Sequence, residues 1–278
     1  MYAYALATLA NKNSLDDLKV FFFSLQLWND TLPNVYIFCD SFIETYLKTN
    51  PYKGKIEYKN ILDVYNGLNR EKMELLPGKE FKTLWVDFMC EKTHLLDWAF
   101  TFENSILFCD ADICFMSQLQ SIDESIKLGV SRHNIRDRDE QKYGMYNGGL
   151  LYASDKTIPE LWRKFTHTSR FFEQACIEDL VKEFSESHFV FTNNINYGWW
   201  RLLQGKESID SLKEKWSFKR DSNTCGLLVE GQPLLSIHTH WKTNDKATNY
   251  FNEFVLGKLE KLKSVEKTKK LLNYINKL

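Results

Sequence analysis

An apolar run ends in two acids in the stretch Ser105-Ile106-Leu107-Phe108-Cys109-Asp110-Ala111-Asp112. Four consecutive apolar residues after a polar segment predict a strand that is buried on both faces, with Asp110 and Asp112 where it leaves the core. Residues i and i+2 of a strand point to the same side, so both carboxylates can reach one hard divalent cation, Mg²⁺ or Mn²⁺, which can in turn bind a diphosphate. The alternative is an Asp pair that merely ends a strand in a turn.

Length and composition indicate a globular protein with a large core. The chain has 278 residues, of which 44% are hydrophobic and 15% aromatic, enough for one large domain or for one domain with a helical appendage. Its formal net charge of -1 provides no general attraction to nucleic acid, so a local site must hold any anionic ligand. We therefore expect no nucleic-acid partner.

Cysteine usage and the N-terminal residues predict a cytoplasmic location. The six cysteines show no C-x-x-C spacing, and most lie in apolar runs where a free thiol packs as a small hydrophobic group, which indicates a reducing compartment. Residues 1–6 lack the basic region of a signal peptide. No apolar run approaches the roughly 20 residues that are needed to cross a bilayer.

Strand and helix patterns alternate along the first part of the chain. They predict strands over residues 2–10, 35–39 and 55–59, with a helix from Leu15 that ends by Asn29 and a second helix over 42–47. An irregular segment over 61–81 and a long helix over 83–100 then lead to the Ser105 strand. Such alternation is typical of a parallel sheet with helices on both faces and a ligand crevice at the carboxyl ends of its strands.

The second half of the chain is less regular. Its patterns predict an edge strand over residues 130–133, helices over 158–165 and 172–184, and a strand over 189–195. Asn193, Asn194, Asn196 and the pair Trp199-Trp200 form either a surface that receives sugar rings or plain loop and core.

The C-terminal residues predict a helix with an apolar face and with seven lysines from Lys258 onward. We therefore divide the chain into a domain over residues 1–245 and a helical extension over 246–278 that packs on this domain. The lysines of the extension either face solvent or make a peripheral contact with an anionic membrane.

A second informative segment is Tyr146-Asn147-Gly148-Gly149-Leu150-Leu151-Tyr152. Two glycines that open an apolar strand allow another group to approach the backbone closely. The side chain of Asn147 offers both a donor and an acceptor to a polyhydroxylated ligand. The alternative interpretation is a Gly-Gly turn that enters a strand.

A third segment, Ser236-Ile237-His238-Thr239-His240-Trp241-Lys242, ends an apolar run in His-x-His. This spacing puts both imidazoles on one face, which is a metal-ligand arrangement when carboxylates are nearby. Two histidines alone are often only polar surface. Together with Asp110 and Asp112 they predict a metal site, although the residues do not decide which histidine binds the ion.

These three segments, in this order, resemble the GT-A glycosyltransferases, notably the glycogenin and bacterial lipopolysaccharide galactosyltransferase group. The resemblance spans roughly residues 2–245. It implies an α/β fold of the GT-A (Rossmann-like) type, with a mixed, mainly parallel sheet flanked by helices. It also implies transfer of a sugar from a nucleoside diphosphate sugar, UDP rather than GDP, to a hydroxyl of a glycan, glycoprotein or glycolipid acceptor, with Mn²⁺ or Mg²⁺ as cofactor.

The resemblance also implies roles for individual residues. The first strand and its loop hold the nucleoside base through Ala7, Thr8, Leu9 and Asn11, and Asp40 lies near the base or ribose. The residues that contact the phosphates and the metal are Lys92, Lys242, Asp110, Ala111 and Asp112, with His238 or His240. The segment from Asn147 through Gly148 to Gly149 lines the sugar site, and Glu173-Gln174 matches the Asp-Gln pair of the family.

The reaction needs a group that accepts the proton of the attacking hydroxyl if the configuration is inverted. Glu173 or Asp179 is the carboxylate that we expect in this role, although resemblance to the glycogenin group favours retention. This chain departs from the family in two places. It lacks the Gly and the Pro of His-x-x-Gly-x-x-Lys-Pro-Trp after His238, and Glu173 replaces an Asp.

Two other classes of protein remain as alternatives to an enzyme of this family. A sugar nucleotidyltransferase should carry a Gly-rich phosphate loop after the first strand, and Ala10-Asn11-Lys12-Asn13-Ser14 contains no glycine. A catalytically silent carbohydrate-binding protein could keep the fold and lose the ion. Release of free nucleoside diphosphate from a donor would distinguish the transferase from the silent protein.

Overall fold

The structure is a computed structural model that describes residues 4–205, 207–219 and 223–278. The first residues of the strand predicted over 2–10 lie outside these ranges. The strands are β1 (Ala5–Ala10), β2 (Val35–Cys39), β3 (Ile56–Asn60), β4 (Ile106–Cys109), β5 (Ile113–Phe115), β6 (Leu128–Arg132), β7 (Tyr146–Ala153), β8 (His188–Phe191), β9 (Tyr197–Gly198), β10 (Trp216–Phe218), β11 (Leu227–Val229), β12 (Gln232–Pro233) and β13 (Ser236–His238). The helices are α1 (Leu15–Trp28), α2 (Ser41–Leu47), α3 (Arg70–Leu75), α4 (Leu84–Ala99), α5 (Asp137–Tyr143), α6 (Ile158–Thr166), α7 (Ile177–Glu183), α8 (Trp200–Leu203), α9 (Ile209–Lys215), α10 (Lys246–Glu260) and α11 (Glu266–Ile275).

A seven-stranded sheet in the order β3-β2-β1-β4-β7-β6-β8 forms the centre of the fold. Strands β3, β2, β1 and β4 are parallel to one another, β7 is antiparallel to both of its neighbours, and β6 and β8 are again parallel. Helices cover both faces of this mixed, mainly parallel sheet. The predicted α/β fold class is therefore confirmed.

Strand β4 is buried on both faces, as its apolar run predicts. Leu107 and Cys109 belong to one hydrophobic cluster, with α1 and the C-terminal helices. Ile106 and Phe108 point to the other face, into a cluster with α4 and α6. Because all four side chains lie within the core, the chain first meets the cleft at Asp110, at the carboxyl edge of the sheet.

Two pairings bring distant segments to the end of β4. The antiparallel strand β7 starts at this edge, and the backbone N–H of Asp110 donates to the carbonyl of Gly149 at 2.8 Å. A small sheet of β5, β13 and β9 lies beside it, in which His238 is opposite Ile113. The Thr239 N–H donates to the Asp112 carbonyl at 3.0 Å. The three informative segments therefore meet at one place.

Some local predictions differ from the structure. Strand β6 pairs with β7 and with β8, so it lies inside the sheet and the prediction of an edge strand over 130–133 was wrong. The helix predicted over 172–184 begins only at Ile177. Phe172 has a left-handed φ of 44°, and the Trp162 indole donates to the Glu173 carbonyl, so Glu173 and Gln174 lie in turns before the helix. The irregular segment over 61–81 includes the short helix α3.

The C-terminal residues form two helices, α10 and α11, instead of the single helix that was predicted. Phe251, Val255 and Leu259 of α10 are fully buried in the cluster that includes one face of β4. Tyr274 of α11 stacks on Phe23 of α1, with ring centroids 3.9 Å apart. The apolar faces are thus used in packing, and contact of the lysines with a membrane stays a prediction.

Two further observations concern the environment of the protein. All six cysteines are free and buried. Among the helices of the described ranges, none combines the length and the apolar composition that a bilayer crossing requires.

The packing of α10 can be tested with two adjacent aromatic residues. Phe251 is fully buried, whereas Tyr250 is 56% exposed. We expect Phe251→Ala to lower the free energy of unfolding by about 3–5 kcal/mol, because the substitution leaves a cavity in the core. Tyr250→Ala should change it by less than about 0.5 kcal/mol. Urea denaturation would measure both values, and equal effects would contradict the described packing.

Candidate metal centre

Asp110, Asp112 and His238 form a compact group at the carboxyl edge of the sheet. One ligand atom from each residue lies within 4.8 Å of those of the other two. His238 Nε2 is 3.0 Å from Asp112 Oδ1 and 3.9 Å from Asp110 Oδ2. Asp110 and Asp112 follow β4 directly, and His238 ends β13, so secondary structure fixes all three backbones. Two carboxylates and one imidazole are a ligand set that suits Mn²⁺ or Mg²⁺.

A hydrogen bond fixes the orientation of the His238 ring. Its Nδ1–H donates to Asn196 Oδ1 at 2.8 Å, so the lone pair of Nε2 faces the two acids. Asn196 is fully buried, and its amide donates to Asn147 Oδ1 at 3.0 Å and to Ser131 Oγ at 3.1 Å. Such support behind a histidine is typical of metal sites. The ligand set and its surroundings therefore fit a divalent cation.

Sequence reasoning missed this role of Asn196. It grouped Asn196 with a possible sugar-binding surface, but Asn196 and Trp200 are both buried, and the Trp200 ring packs edge-on against His238 with centroids 4.8 Å apart. The left-handed φ of 53° at Asn196 is a conformation that asparagine adopts more readily than most residues. The available signal for this role in the sequence was the position of Asn196, a polar residue directly before the aromatic segment that contains Trp199 and Trp200.

Gly149 is required for the close approach of these groups. A Cβ atom built on Gly149 would collide with His238 Cε1 and would lie 2.6 Å from Asp110 Oδ2. The Gly149 N–H donates to Asn147 Oδ1 at 2.9 Å, which ties Asn147 to both Gly149 and Asn196. The Gly-Gly segment thus allows the approach of protein side chains to the backbone, as well as opening a strand.

His240 contacts the second oxygen of Asp112. Its Nε2 lies 3.5 Å from Asp112 Oδ2, and its Nδ1–H donates to Asp17 Oδ2 at 2.7 Å. The hydrogen bond to Asp17 raises the pKa of His240 to about 9. Burial alone would raise the pKa of Asp112, but its contacts with His238 and His240 lower it well below the usual range. Asp17, in the first turn of α1, was not expected at the site.

Lys92 is a buried lysine, 2% exposed, that connects two acids. Its amine donates to Glu173 Oε1 at 2.8 Å and to the Gly148 carbonyl at 3.1 Å, and lies 3.5 Å from Asp110 Oδ1. Burial by itself would lower the pKa of Lys92, but Asp110 and Glu173 raise it above the usual value. Lys92 therefore stays charged and holds the glycine segment of β7 between α4 and the turn at Glu173.

A cleft of about 380 Å³ opens beside the acids. Of the residues predicted at the site, those that line it are Leu9, Asn11, Lys92, Asp110, Ala111, Asp112 and His240. Gln174 does not line the cleft; its side-chain oxygen accepts from the Gly148 N–H at 3.2 Å. A second cavity, of about 370 Å³ and lined largely by apolar side chains such as Leu107 and Phe189, contains none of the predicted site residues.

Other predicted residues lie away from the group of acids. Ala7 and Thr8 are fully buried inside β1. Asp40 caps α2 by accepting from the Ile43 N–H at 2.9 Å, and it lines a polar cavity next to Asn11. Asp179 forms an ion pair with Lys182 at 2.8 Å on the surface of α7, and Lys242 is exposed. The structure does not bring Asp179 to the cleft.

No protein-family model matches the sequence, and no curated protein matches it. Several solved structures are similar to this chain. The galactosyltransferase LgtC in complex with donor and acceptor sugar analogs is similar at a TM-score of 0.51 and 11% identity, over 99% of this chain and 96% of LgtC. The apo form of the glycosyltransferase GlyE of Streptococcus pneumoniae TIGR4 has a TM-score of 0.53 and 13% identity, over 98% of this chain and 62% of GlyE. The bifunctional glycosyltransferase WbbM has a TM-score of 0.52 and 8% identity, over 98% of this chain and 52% of WbbM.

At these identities the likeness concerns the fold. It extends over nearly the whole of this chain, although the chain spans less than two thirds of GlyE or WbbM. The central sheet and the position of the two acids after β4 lie within the part that matches. The resemblance that the three motifs predicted is thereby confirmed, and the chain has the GT-A glycosyltransferase fold.

Proposed function

We propose that this protein is a metal-dependent glycosyltransferase. It transfers a sugar from a nucleoside diphosphate sugar, UDP in preference to GDP, to a hydroxyl of a glycan or glycoconjugate. The observation that carries the proposal is the group formed by Asp110, Asp112 and His238 beside an open cleft, in a fold shared with glycosyltransferases. LgtC, which shares this fold, is described in complex with donor and acceptor sugar analogs.

Asp110, Asp112 and His238 would hold Mn²⁺ or Mg²⁺. When bound, the ion supplies Lewis acidity that stabilises the negative charge on the leaving diphosphate as the anomeric bond breaks. The protein contributes the geometry: the hydrogen bond from His238 to Asn196 keeps Nε2 directed at the acids. Leu9, Asn11 and Ala111 line the same cleft and are proposed to contact the nucleoside part of the donor.

The surroundings of the other acids favour retention of configuration. The Glu173 carboxylate is 2% exposed and accepts from Lys92, so we propose that it and Gln174 position the glycine segment. Asp179 is paired with Lys182 at the surface. An inverting enzyme needs a carboxylate that can accept a proton from the acceptor hydroxyl, and neither residue is arranged for this.

A carbohydrate-binding protein without catalysis is the second candidate. It would keep the cleft but would not need a cation site in which a hydrogen bond orients the histidine ligand. We favour the enzyme because this site keeps two carboxylates and an imidazole within mutual reach, with the imidazole held by Asn196.

Two finer parts of the proposal concern location and partners. The cytoplasmic location and the contact of the C-terminal lysines with an anionic membrane that carries a lipid-linked acceptor remain predictions. Lys261, between α10 and α11, and Lys269 and Lys270 of α11 are exposed. We expect the intact chain to co-sediment with anionic vesicles but not with neutral ones, and absence of binding to both would end this idea.

The enzymatic function is tested by donor hydrolysis. We expect release of UDP or GDP from one member of a panel of UDP and GDP sugars when Mn²⁺ is present. EDTA should abolish the release, and Asp112→Asn should reduce it by at least about 100-fold, because the cation loses a ligand. Asp123→Asn, in an exposed turn, is the matched control and should keep full activity. A panel without any metal-dependent release would favour the silent carbohydrate-binding protein.

The support of His238 by Asn196 is tested separately, by binding of the metal. Asn196→Gly removes the amide without backbone strain, because glycine accepts the left-handed φ of 53°. We expect the affinity for Mn²⁺, measured by calorimetry, to fall about 10–100-fold. Asn134→Gly, at a half-buried position with a φ of 56° away from the acids, should leave the affinity unchanged. An unaltered affinity in Asn196→Gly would show that His238 does not depend on this hydrogen bond.

A further inference from the structure

Asp17 is a buried acid on the face of helix α1 that packs into the core. It is 6% exposed and is followed by the fully buried residues Leu18 and Phe21. Its carboxylate accepts from His240 Nδ1–H at 2.7 Å and from the Trp241 N–H at 3.3 Å. Burial of a carboxylate costs free energy unless the group is paired, and here the side-chain partner is a histidine that is 50% exposed. The pair therefore holds the His240 ring in one orientation at the mouth of the cleft.

The two oxygens of Asp112 face different histidines. Asp112 Oδ1 faces His238 Nε2 at 3.0 Å, and Oδ2 faces His240 Nε2 at 3.5 Å. Only His238 belongs to the group of three residues whose ligand atoms lie within mutual reach, as far as the described residues go. His240 is thus next to the candidate metal centre, outside its ligand group, and it lines the cleft.

The other cationic side chains that line this cleft are engaged elsewhere in the described structure. The amine of Lys92 donates to Glu173 and to the Gly148 carbonyl. The guanidinium of Arg70 donates to Glu74 at 2.7 Å and lies over the rings of Trp85 and Phe172. His240 differs from both because its ring is 50% exposed at the cleft, with Nδ1 bound to Asp17 and Nε2 3.5 Å from Asp112 Oδ2.

We propose that His240 contacts the diphosphate of the donor through Nε2, and that Asp17 is the positioning residue that holds the ring for this contact. The inference rests on the proposed function and adds a binding residue to it. The Nε2 edge of the ring lies against a diphosphate oxygen beside the ion, so His240 contributes to diphosphate binding and not to metal binding. The exposed Lys242 is not needed for this contact.

The test is calorimetric binding of UDP and GDP in Mn²⁺, compared with UMP and GMP, which lack the second phosphate. His240→Gln and Asp17→Asn should each weaken binding of the diphosphate by about 10-fold, the value of one hydrogen bond. Binding of the monophosphates and of Mn²⁺ alone should change by less than about twofold. His94→Gln, at a similarly exposed histidine, and Asp16→Asn, at the partly exposed neighbour of Asp17, are the matched controls.

A double variant tests whether Asp17 acts through His240. If it does, His240→Gln/Asp17→Asn binds the diphosphate no more weakly than His240→Gln alone. Asp17→Glu, which keeps the carboxylate, should restore part of the affinity. Thermal melting shows whether Asp17→Asn remains folded. If it does not, His240→Gln still tests the contact, because the His240 side chain is half-exposed.

Several results would overturn the inference. Unchanged binding of UDP and GDP to His240→Gln would remove the contact, and so would an equal loss for the diphosphates and the monophosphates. Weaker binding of Mn²⁺ alone in His240→Gln, comparable to that in Asp112→Asn, would make His240 a metal ligand instead. Failure of the unaltered protein to bind either diphosphate in Mn²⁺ would instead contradict the proposed function itself.

Discussion

The repulsion between two carboxylates at the end of β4 is the constraint on which this site depends. Asp110 and Asp112 emerge together from a strand that is buried on both faces, so neither can move away from the other. Neighbouring side chains offset this repulsion. Lys92 lies next to Asp110, and His238 and His240 each lie near one oxygen of Asp112. The lowered pKa of Asp112 reflects this compensation. Asp112 is therefore available as an anionic ligand at neutral pH, at a fixed position beside Asp110.

The antiparallel strand β7 brings the glycine segment to the two acids. Because β7 runs against β4, its first residues lie at the edge where the acids emerge, and Gly149 can be placed against Asp110. Any side chain at this position would occupy the space of His238 and Asp110. The amide of Asn147 then joins the backbone of Gly149 to Asn196, and Asn196 orients His238. The antiparallel direction of β7 and the absence of a side chain at Gly149 together create the room for the metal centre.

Local patterns were sufficient for much of the fold. The apolar run of β4 predicted a strand that is buried on both faces, and the alternation of strands and helices predicted the parallel part of the sheet, because hydrophobic burial acts residue by residue along the chain. They failed where a distant contact overrides local preference. Glu173 was expected in a helix, but its buried contact with Lys92 and the hydrogen bond from Trp162 belong to a turn. Strand β6 was expected at an edge, but β8 covers it.

The sequence by itself determined the composition of the site: two acids after a buried strand, two glycines that open another strand, and two histidines that follow a third. Only the tertiary structure decided which of these residues meet and which residues support them. Asp17 and His240 are separated by 223 positions, and Asn196 reaches His238 across 42. Hydrogen bonds of this kind leave no periodic signal, because periodicity records which face of an element is buried and not which polar group it meets in the folded chain.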